Sequence, residues 1–340
     1  MLAAKCKLAH AQKVKEYLLK NRLFNQERLL VKQNEHIYFP LLKKVKVPGA
    51  EVLETKIFFP KKYQAPSVES LLAGKLSTKE LALIPKAQEV VGKILILEIP
   101  EELQKKEKLI AQAYLQANKN LETVVKKGEI HSGEYRLRTV EILAGKKSKE
   151  TIHQENGIKL KLDLEKTYFS ARSGSERLRI AQLVKKCEKV LVMFSGCGPF
   201  PLVIAKHSAA QKIVGVEINP LAHEYAIENL KLNGFGSRVV FLAGDVYDIM
   251  PKIKEKFERI VMPLPKTGDE FLPLALTKAQ VGTIVHFYAF LKEADVPEEK
   301  KKILEICQKA KHPVKVLRHV NCGQFAPYVF RMCFDLKVLR

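Results

Sequence analysis

The stretch of residues 189–220, KVLVMFSGCGPFPLVIAKHSAAQKIVGVEINP, constrains this chain more than any other. It opens on an apolar run, 189–194, of the kind a buried parallel strand needs. Ser195, Gly196, Cys197, Gly198 and Pro199 follow as a tight turn. Glycine there lets the backbone approach a ligand closely and adopt dihedrals that other residues resist. Residues 200–207 read as a helix, and 212–217 as a second strand ending in an acid, Glu217, 19 residues after Gly198. Asn219 as N-cap and Pro220 at the first helical position start the next helix. Strand, glycine turn, helix, strand and terminal acid make the nucleotide-binding half of a doubly wound sheet. The acid is placed to accept hydrogen bonds from ribose hydroxyls.

The turn lacks the third glycine of the dinucleotide fingerprint, and no GxxxxGK[ST] loop is present to cradle phosphates. A ligand with a ribose but no phosphate, S-adenosylmethionine, fits better. The plain alternative is an ordinary α/β turn without a ligand. Glu217 and Asp245 both fall at predicted strand ends and weigh against it.

At 340 residues and 46% apolar content, the chain is long enough for two or three domains with substantial cores. Lysine and arginine number 59 against 37 acids, a net charge of +22. Such an excess points to a polyanion partner. Generic basicity is the alternative, but the lysines spread over every segment, as a large nucleic-acid footprint requires. No apolar run reaches membrane-spanning length, and the lysine-interrupted N-terminus has no secretory core. The six cysteines, Cys6, Cys187, Cys197, Cys307, Cys322 and Cys333, show no CxxC or metal spacing. They are expected to be reduced and mostly buried in a cytoplasmic protein, with no metal.

Four segments are expected in order. Residues 1–66 form a small α+β module with a helix over 9–21 and strands over 28–32 and 36–41. Residues 67–84 form a linker with a short helix. Residues 85–167 form a second α+β module: a strand over 90–99, a helix from Pro100 to about 118, strands over 121–125 and 135–143, and a hairpin over 151–164. That hairpin turns at Glu155-Asn156-Gly157, and Asn-Gly is the strongest short hairpin signal. Lys126, Lys127, Arg136, Arg138, Lys146, Lys147 and Lys149 are expected to give this module a positive face. From Tyr168 to Arg340 helices and strands alternate, which implies a seven-stranded, mostly parallel sheet with helices on both faces. Its last two strands, 314–320 and 328–336, have no helix between them and read as an antiparallel terminal hairpin, a methyltransferase-like ending.

In such a sheet the ligand lies across the carboxyl ends of the strands at the switch point. The candidates there are Gly196, Gly198, Glu217, Asp245 and the run Met262-Pro263-Leu264-Pro265. Asp245 can accept from an adenine amine or merely cap the following helix. A further group is Tyr168-Phe169-Ser170 with Ser175-Glu176-Arg177. Ser173 and Glu176 have capping-box spacing, so Glu176 has a plain alternative as a helix-start residue. His207, His223, His286 and His319 stand singly and read as structural.

With these residues in hand, the chain resembles the archaeal/eukaryotic tRNA (guanine-N1)-methyltransferases that modify position 37, beside the anticodon. The likeness runs nearly end to end. It includes Gly133-Glu134-Tyr135-Arg136-Leu137-Arg138, Thr151-Ile152-His153, Glu155-Asn156-Gly157, Tyr168-Phe169-Ser170, Glu176-Arg177, Leu264-Pro265-Lys266 and His286-Phe287-Tyr288. The resemblance implies a Rossmann-like methyltransferase domain, S-adenosylmethionine as cofactor, tRNA as partner and a monomer. It implies Glu176 as general base at guanine N1, and Arg136 or Arg138 as donor to O6. Tyr168, Arg177, Pro263, Leu264 and Pro265 would line the base site. Phe194, Gly196, Gly198, Glu217, Ile218, Asp245 and Val246 would hold the cofactor, and residues 1–66 would grip the outer corner of the tRNA.

Two positions depart from the family pattern. Val192 stands where the family has Asp, and Pro263 stands where it has Asn. The departures keep other functions in view. One is an aminocarboxypropyl transferase, or a bifunctional methyltransferase, of wyosine-type base formation. Another is a tRNA-binding homologue with impaired catalysis.

Overall fold

Lysines alternate with small apolar residues at the N-terminus, and that period of two builds a strand. In the computed structural model β1 (Leu2–Lys7) buries Ala3, Ala4 and Cys6. The structure describes residues 1–62, 66–86, 89–128, 135–263, 266 and 268–340. It divides into two units, Met1–Pro66 and Ser67–Arg340. In the first unit, α1 (Ala11–Lys20), β2 (Val31–Gln33), β3 (His36–Pro40) and β4 (Glu51–Glu54) follow β1. The strands form an antiparallel sheet in the order β2-β3-β1-β4. Val14 and Leu18 of α1 pack with Ile37 and Phe39 in its core. The sequence expectation missed β1 and β4, because lysines masked the alternation in one and the other is only a short edge strand.

The second unit opens with two short helices, α2 (Val68–Leu72) and α3 (Thr78–Ala82). Ser77 and Glu80 satisfy each other's backbone as a capping box at α3. The single strand expected over 90–99 is instead a hairpin, β5 (Glu89–Val91) and β6 (Ile94–Leu97). Gly92 turns it at φ 57°, where a Cβ would lie 2.3 Å from the Thr151 hydroxyl. Then come α4 (Glu107–Ala117), β7 (Thr123–Lys127), β8 (Val140–Gly145), β9 (Glu150–Glu155) and β10 (Ile158–Asp163). β5-β6-β7-β8 form one sheet, and β9 and β10 form the expected Asn156-Gly157 hairpin. The expected positive face is largely neutralised. Lys126 faces Glu107 and Glu141, Lys127 faces Glu98, Arg138 faces Glu89, Lys146 faces Glu122, and Lys149 faces Glu165.

The remaining elements alternate: α5 (Gly174–Leu183), β11 (Lys189–Met193), α6 (Pro199–His207), β12 (Lys212–Glu217), α7 (Pro220–Asn233), β13 (Val239–Ala243), α8 (Val246–Ile249), β14 (Phe257–Met262), α9 (Gly268–Leu276), β15 (Ala279–Leu291), α10 (Val296–Lys309), β16 (Val314–Ala326) and β17 (Val329–Val338). They build a seven-stranded sheet, β13-β12-β11-β14-β15-β17-β16, in which only β17 runs antiparallel to its neighbours. The near-continuous apolar run of β11 is explained by burial on both faces. Val190 and Val192 enter one core, Leu191 and Met193 the other. Chain order reverses at β11, between β12 and β14, so the crevice opens at the carboxyl end of β11. Four of the six cysteines are buried, Cys322 is partly so, and Cys187 is exposed. Among the described residues no helix is long and apolar enough to cross a membrane.

Candidate active site

At the carboxyl end of β11 the backbone turns through positive φ at Phe194 (57°), Gly196 (57°) and Gly198 (89°). Glu217, ending the neighbouring β12, fixes this turn. Its Oε2 accepts from the Gly196 N–H at 2.6 Å, and its Oε1 from the Asn219 N–H at 2.9 Å. Burial pushes its carboxyl above the ordinary value, against the pull of those backbone donors. Asn219 caps α7 through Leu221 and Ala222 and donates to the Lys166 carbonyl at 2.8 Å. Asp245 caps α8 at 2.8 Å from the Tyr247 N–H, as its plain alternative foresaw, and also lines the cavity. The Ser195 hydroxyl is buried beside the turn without a protein partner.

These residues form one end of a cavity of about 260 Å³, whose wall includes Phe194, Gly196, Glu217, Ile218, Asp245 and Val246. Gly198 is not in the wall. A Cβ there would lie 2.8 Å from the Phe241 ring, so the need for glycine is one of packing and of its left-handed φ at the N-cap of α6.

The other end of the cavity is lined by Arg136, Tyr168, Arg177, Pro263 and Glu176. Arg136 is half-buried, and burial draws its guanidinium below the ordinary value. Arg138 is turned away into an ion pair with Glu89 at 3.2 Å. Leu264, Pro265 and the Gly133-Glu134 start of that motif lie outside the described residues. Arg177 is locked from behind: Nε and Nη2 donate to Glu155 at 2.5 Å each, and Nη2 to the Ser170 carbonyl at 3.0 Å. Burial pushes the Glu155 carboxyl up, but His153 and Arg177 outweigh it and hold the group below its ordinary value.

Glu176 is buried, and its carboxylate receives three bonds. Arg179 donates through Nε at 2.7 Å and Nη2 at 2.8 Å, and the Tyr288 hydroxyl at 2.5 Å. Burial raises the Tyr288 phenol well above its ordinary value, so it acts as a donor. The capping box proposed for Glu176 does not form: Ser173 makes no side-chain cap and instead accepts from Arg331.

Arg179 also reaches Asp335 at 3.2 Å, which accepts from Arg318 at 2.6 Å and sits 2.6 Å from His286 Nδ1. Arg259 donates to His286 Nε2 at 2.7 Å and holds Glu188 through two more bonds. A guanidinium only donates, so Nε2 must accept and the imidazole proton sits on Nδ1, facing Asp335. His286, Cys333 and Asp335 have metal-ligand atoms within 4.8 Å of one another. Arg179, Arg259 and Arg318 already serve that cluster, and a cation there would face all three.

A family model, the TRM5/TYW2 methyltransferase domain, matches residues 151–317, and the TYW2 N-terminal domain matches 68–148. The tRNA (guanine(37)-N(1))-methyltransferase Trm5b of Pyrococcus abyssi is 33% identical over 99% of both chains, and its crystal structure superposes with a TM-score of 0.73 over 100% of both. The chain belongs to the TRM5/TYW2 methyltransferase family. A solved complex of aTrm5 and tRNALeu is similar at TM-score 0.70 and 28% identity, over 99% of this chain and 100% of that one. A Pyrococcus horikoshii tRNA(Phe) (4-demethylwyosine(37)-C(7)) aminocarboxypropyltransferase is 32% identical, over 81% of this chain and 97% of its own. The P. horikoshii TYW2 structure in complex with MeSAdo covers 80% of this chain and 98% of that chain, at 30% identity and TM-score 0.70.

In this TRM5/TYW2 site, sequence reasoning assigned no role to Arg179, Tyr288, Arg331, Glu155 or Phe271. Tyr288 and Glu155 stood in quoted motifs, His286-Phe287-Tyr288 and Glu155-Asn156-Gly157, which were the available signal. Arg179 had one as well, its i+3 spacing from Glu176 on a predicted helix. Arg331 and Phe271 had none, since only the tertiary fold brings β17 and α9 to the cavity.

Proposed function

We propose that this chain transfers the methyl group of S-adenosylmethionine to N1 of the guanine at position 37 of tRNA. The observation that carries the reading is a single cavity joining the Glu217–Asp245 end to the Glu176–Arg136 end, in a chain that matches Trm5b from end to end. The residues fit a nucleoside without phosphate. The Glu217 carboxylate takes the Gly196 and Asn219 N–H groups on separate oxygens, with the Ile218 N–H also against it, and keeps lone-pair capacity for a hydroxyl, and the Ser195 hydroxyl is unpartnered. When bound, S-adenosylmethionine supplies an electrophilic methyl group on its sulfonium.

Glu217 and Asp245 bind the ribose and adenine, between the apolar walls of Phe194, Ile218 and Val246. Glu176 takes the proton from guanine N1, and Arg136 donates to O6, where negative charge grows. A positioned base contributes about 10²–10⁴-fold, and the charge stabilisation adds to it. Arg177, fixed by Glu155, and Tyr168 hold the base in plane. The Met1–Pro66 unit grips the outer corner of the tRNA. The enzyme works in the cytoplasm as a monomer.

Aminocarboxypropyl transfer is the second reading. The relative with that name matches 81% of this chain, whereas Trm5b matches 99%. Incubating tRNA with methyl-labelled and, separately, carboxyl-labelled cofactor decides between them. Label from the methyl group alone supports the proposal, label from the carboxyl group replaces it with the second reading, and label from neither leaves a tRNA-binding homologue.

A further inference from the structure

A second surface meets the cavity at Arg331. β16 and β17 form a long hairpin, with irregular pairing between Asn321 and Gln324 and between Gln324 and Ala326. Its tip carries two exposed rings, Phe325 at 50% and Tyr328 at 80%. Rings this open add little to a core. Phe325 stacks on Phe290 with centroids 3.8 Å apart at 21°, and the Arg331 guanidinium lies 5.6 Å from the Phe290 centroid. Arg331 in turn donates to Ser173 and lines the cavity. Phe325, Phe290 and Arg331 are therefore one connected stack from the hairpin tip to the cavity wall. No acidic residue occurs between Lys311 and Phe334, and Lys315, Arg318 and His319 stand exposed on β16, Arg318 being paired with Asp335 at the foot of the hairpin.

We propose that this hairpin tip holds an unpaired RNA nucleotide next to the base that enters the cavity, with Phe325 and Tyr328 as the stacking surface and Arg331 as the phosphate contact. The inference rests on the proposed function in taking RNA as the partner. A base drawn out of its loop leaves its neighbours with uncovered faces, and an aromatic ring offers a replacement that any base can use. A guanidinium binds phosphate through paired N–H groups. The acid-free hairpin tip and its continuity with the cavity both favour a nucleic-acid occupant. A protein partner would need a wider apolar patch than two rings set among Asn321, Gln324 and Arg318.

The full-length protein is titrated with a fluorescent stem-loop RNA bearing an unpaired loop, and with a fully paired RNA of equal length. The double variant Phe325→Ala, Tyr328→Ala weakens stem-loop binding about tenfold or more and leaves paired RNA within about twofold. Tryptophan at both positions restores the affinity. Arg331→Gln lowers the slope of log affinity against log salt by about 1. Circular dichroism melts establish that each variant is folded. Unchanged stem-loop affinity in the double variant, or equal losses on paired and unpaired RNA, overturns the assignment. Methyl transfer is scored separately. Ring-dependent RNA binding without methyl transfer would sink the proposed activity and leave the hairpin assignment standing; the reverse would sink the hairpin assignment alone.

Discussion

Glu176 and Arg179 share a two-point contact, with both carboxylate oxygens on one guanidinium at 2.7 and 2.8 Å. They lie one helical turn apart on α5, and Asp335 of β17 holds Arg179 through Nη1. The pair aims the carboxylate: with Tyr288 on the same oxygen as Nη2, Glu176 has little freedom to rotate.

Removing the guanidinium should release that aim. Arg179→Met is expected to slow single-turnover methyl transfer at least tenfold, with cofactor affinity within about twofold of wild type. Arg179→Lys should recover only part of the rate, because an ammonium cannot make the paired contact. Glu176→Gln sets the floor, since an amide cannot take the N1 proton. Loss of one partner of a buried pair costs about 3–5 kcal/mol, so thermal midpoints should be recorded alongside. If Arg179→Met keeps the wild-type rate, Arg179 has no part in positioning the base.

His286 makes stability depend on pH. It is buried between Asp335 of β17 and Arg259 of β14, with Cys333 and Arg179 also facing it. Burial, partly offset by Asp335, lowers its pKa below the ordinary 6.5. The unfolded chain therefore takes up this proton first as pH falls. The contribution is complete above about 6.5 and is lost as pH drops toward the folded value. Asp335, held below its ordinary 3.8 by His286, Arg318 and Arg179 against burial, adds a second loss at lower pH. Thermal midpoints at pH 7.5 and 5.5 should differ more for wild type than for His286→Gln, which does not titrate. Equal differences would mean that the proton goes elsewhere.

Glu217 is predicted to serve both fold and ligand. Glu217→Ala leaves the Gly196 and Asn219 N–H groups without acceptors, at about 1–3 kcal/mol for each buried group. Glu217→Gln keeps one acceptor and should lower the thermal midpoint less, while still weakening S-adenosylmethionine about tenfold by calorimetry. A Gln variant that binds as tightly as wild type would remove Glu217 from the ligand's contacts.

The pattern of residues 189–246 was legible because each element carried a local signal: apolar runs for β11 to β13, Asn219-Pro220 for α7, and glycines at the turn. Gly92 was less legible, since a glycine within an apolar segment reads as part of a continuous strand, and the close approach of Thr151 that excludes a Cβ there is visible only in the fold. The basic face of the middle segment dissolved because its acids, Glu89, Glu98, Glu107 and Glu122, come from other elements. The support of Glu176 was hidden for a similar reason: Asp335 lies 156 residues from Arg179 in the chain, and no spacing rule connects them.

Pro263, the position where the resemblance implies Asn, directly follows β14 and lies on the cavity wall. Proline has no side-chain donor and no backbone N–H, so neither can reach guanine. Under the proposed function, Arg136 and Glu176 then carry polar contacts to the base, and the shape of the wall at Pro263 does the rest. Pro263→Asn would supply a donor and an acceptor at this point on the wall. One hydrogen bond made to the transition state is worth about 1–3 kcal/mol, and 1.4 kcal/mol is tenfold in rate. Single-turnover methylation of guanine-bearing tRNA should therefore rise about tenfold in Pro263→Asn, with cofactor affinity unchanged. A folded variant that no longer methylates guanine would show that the proline shapes the site and that the missing donor is not what limits it.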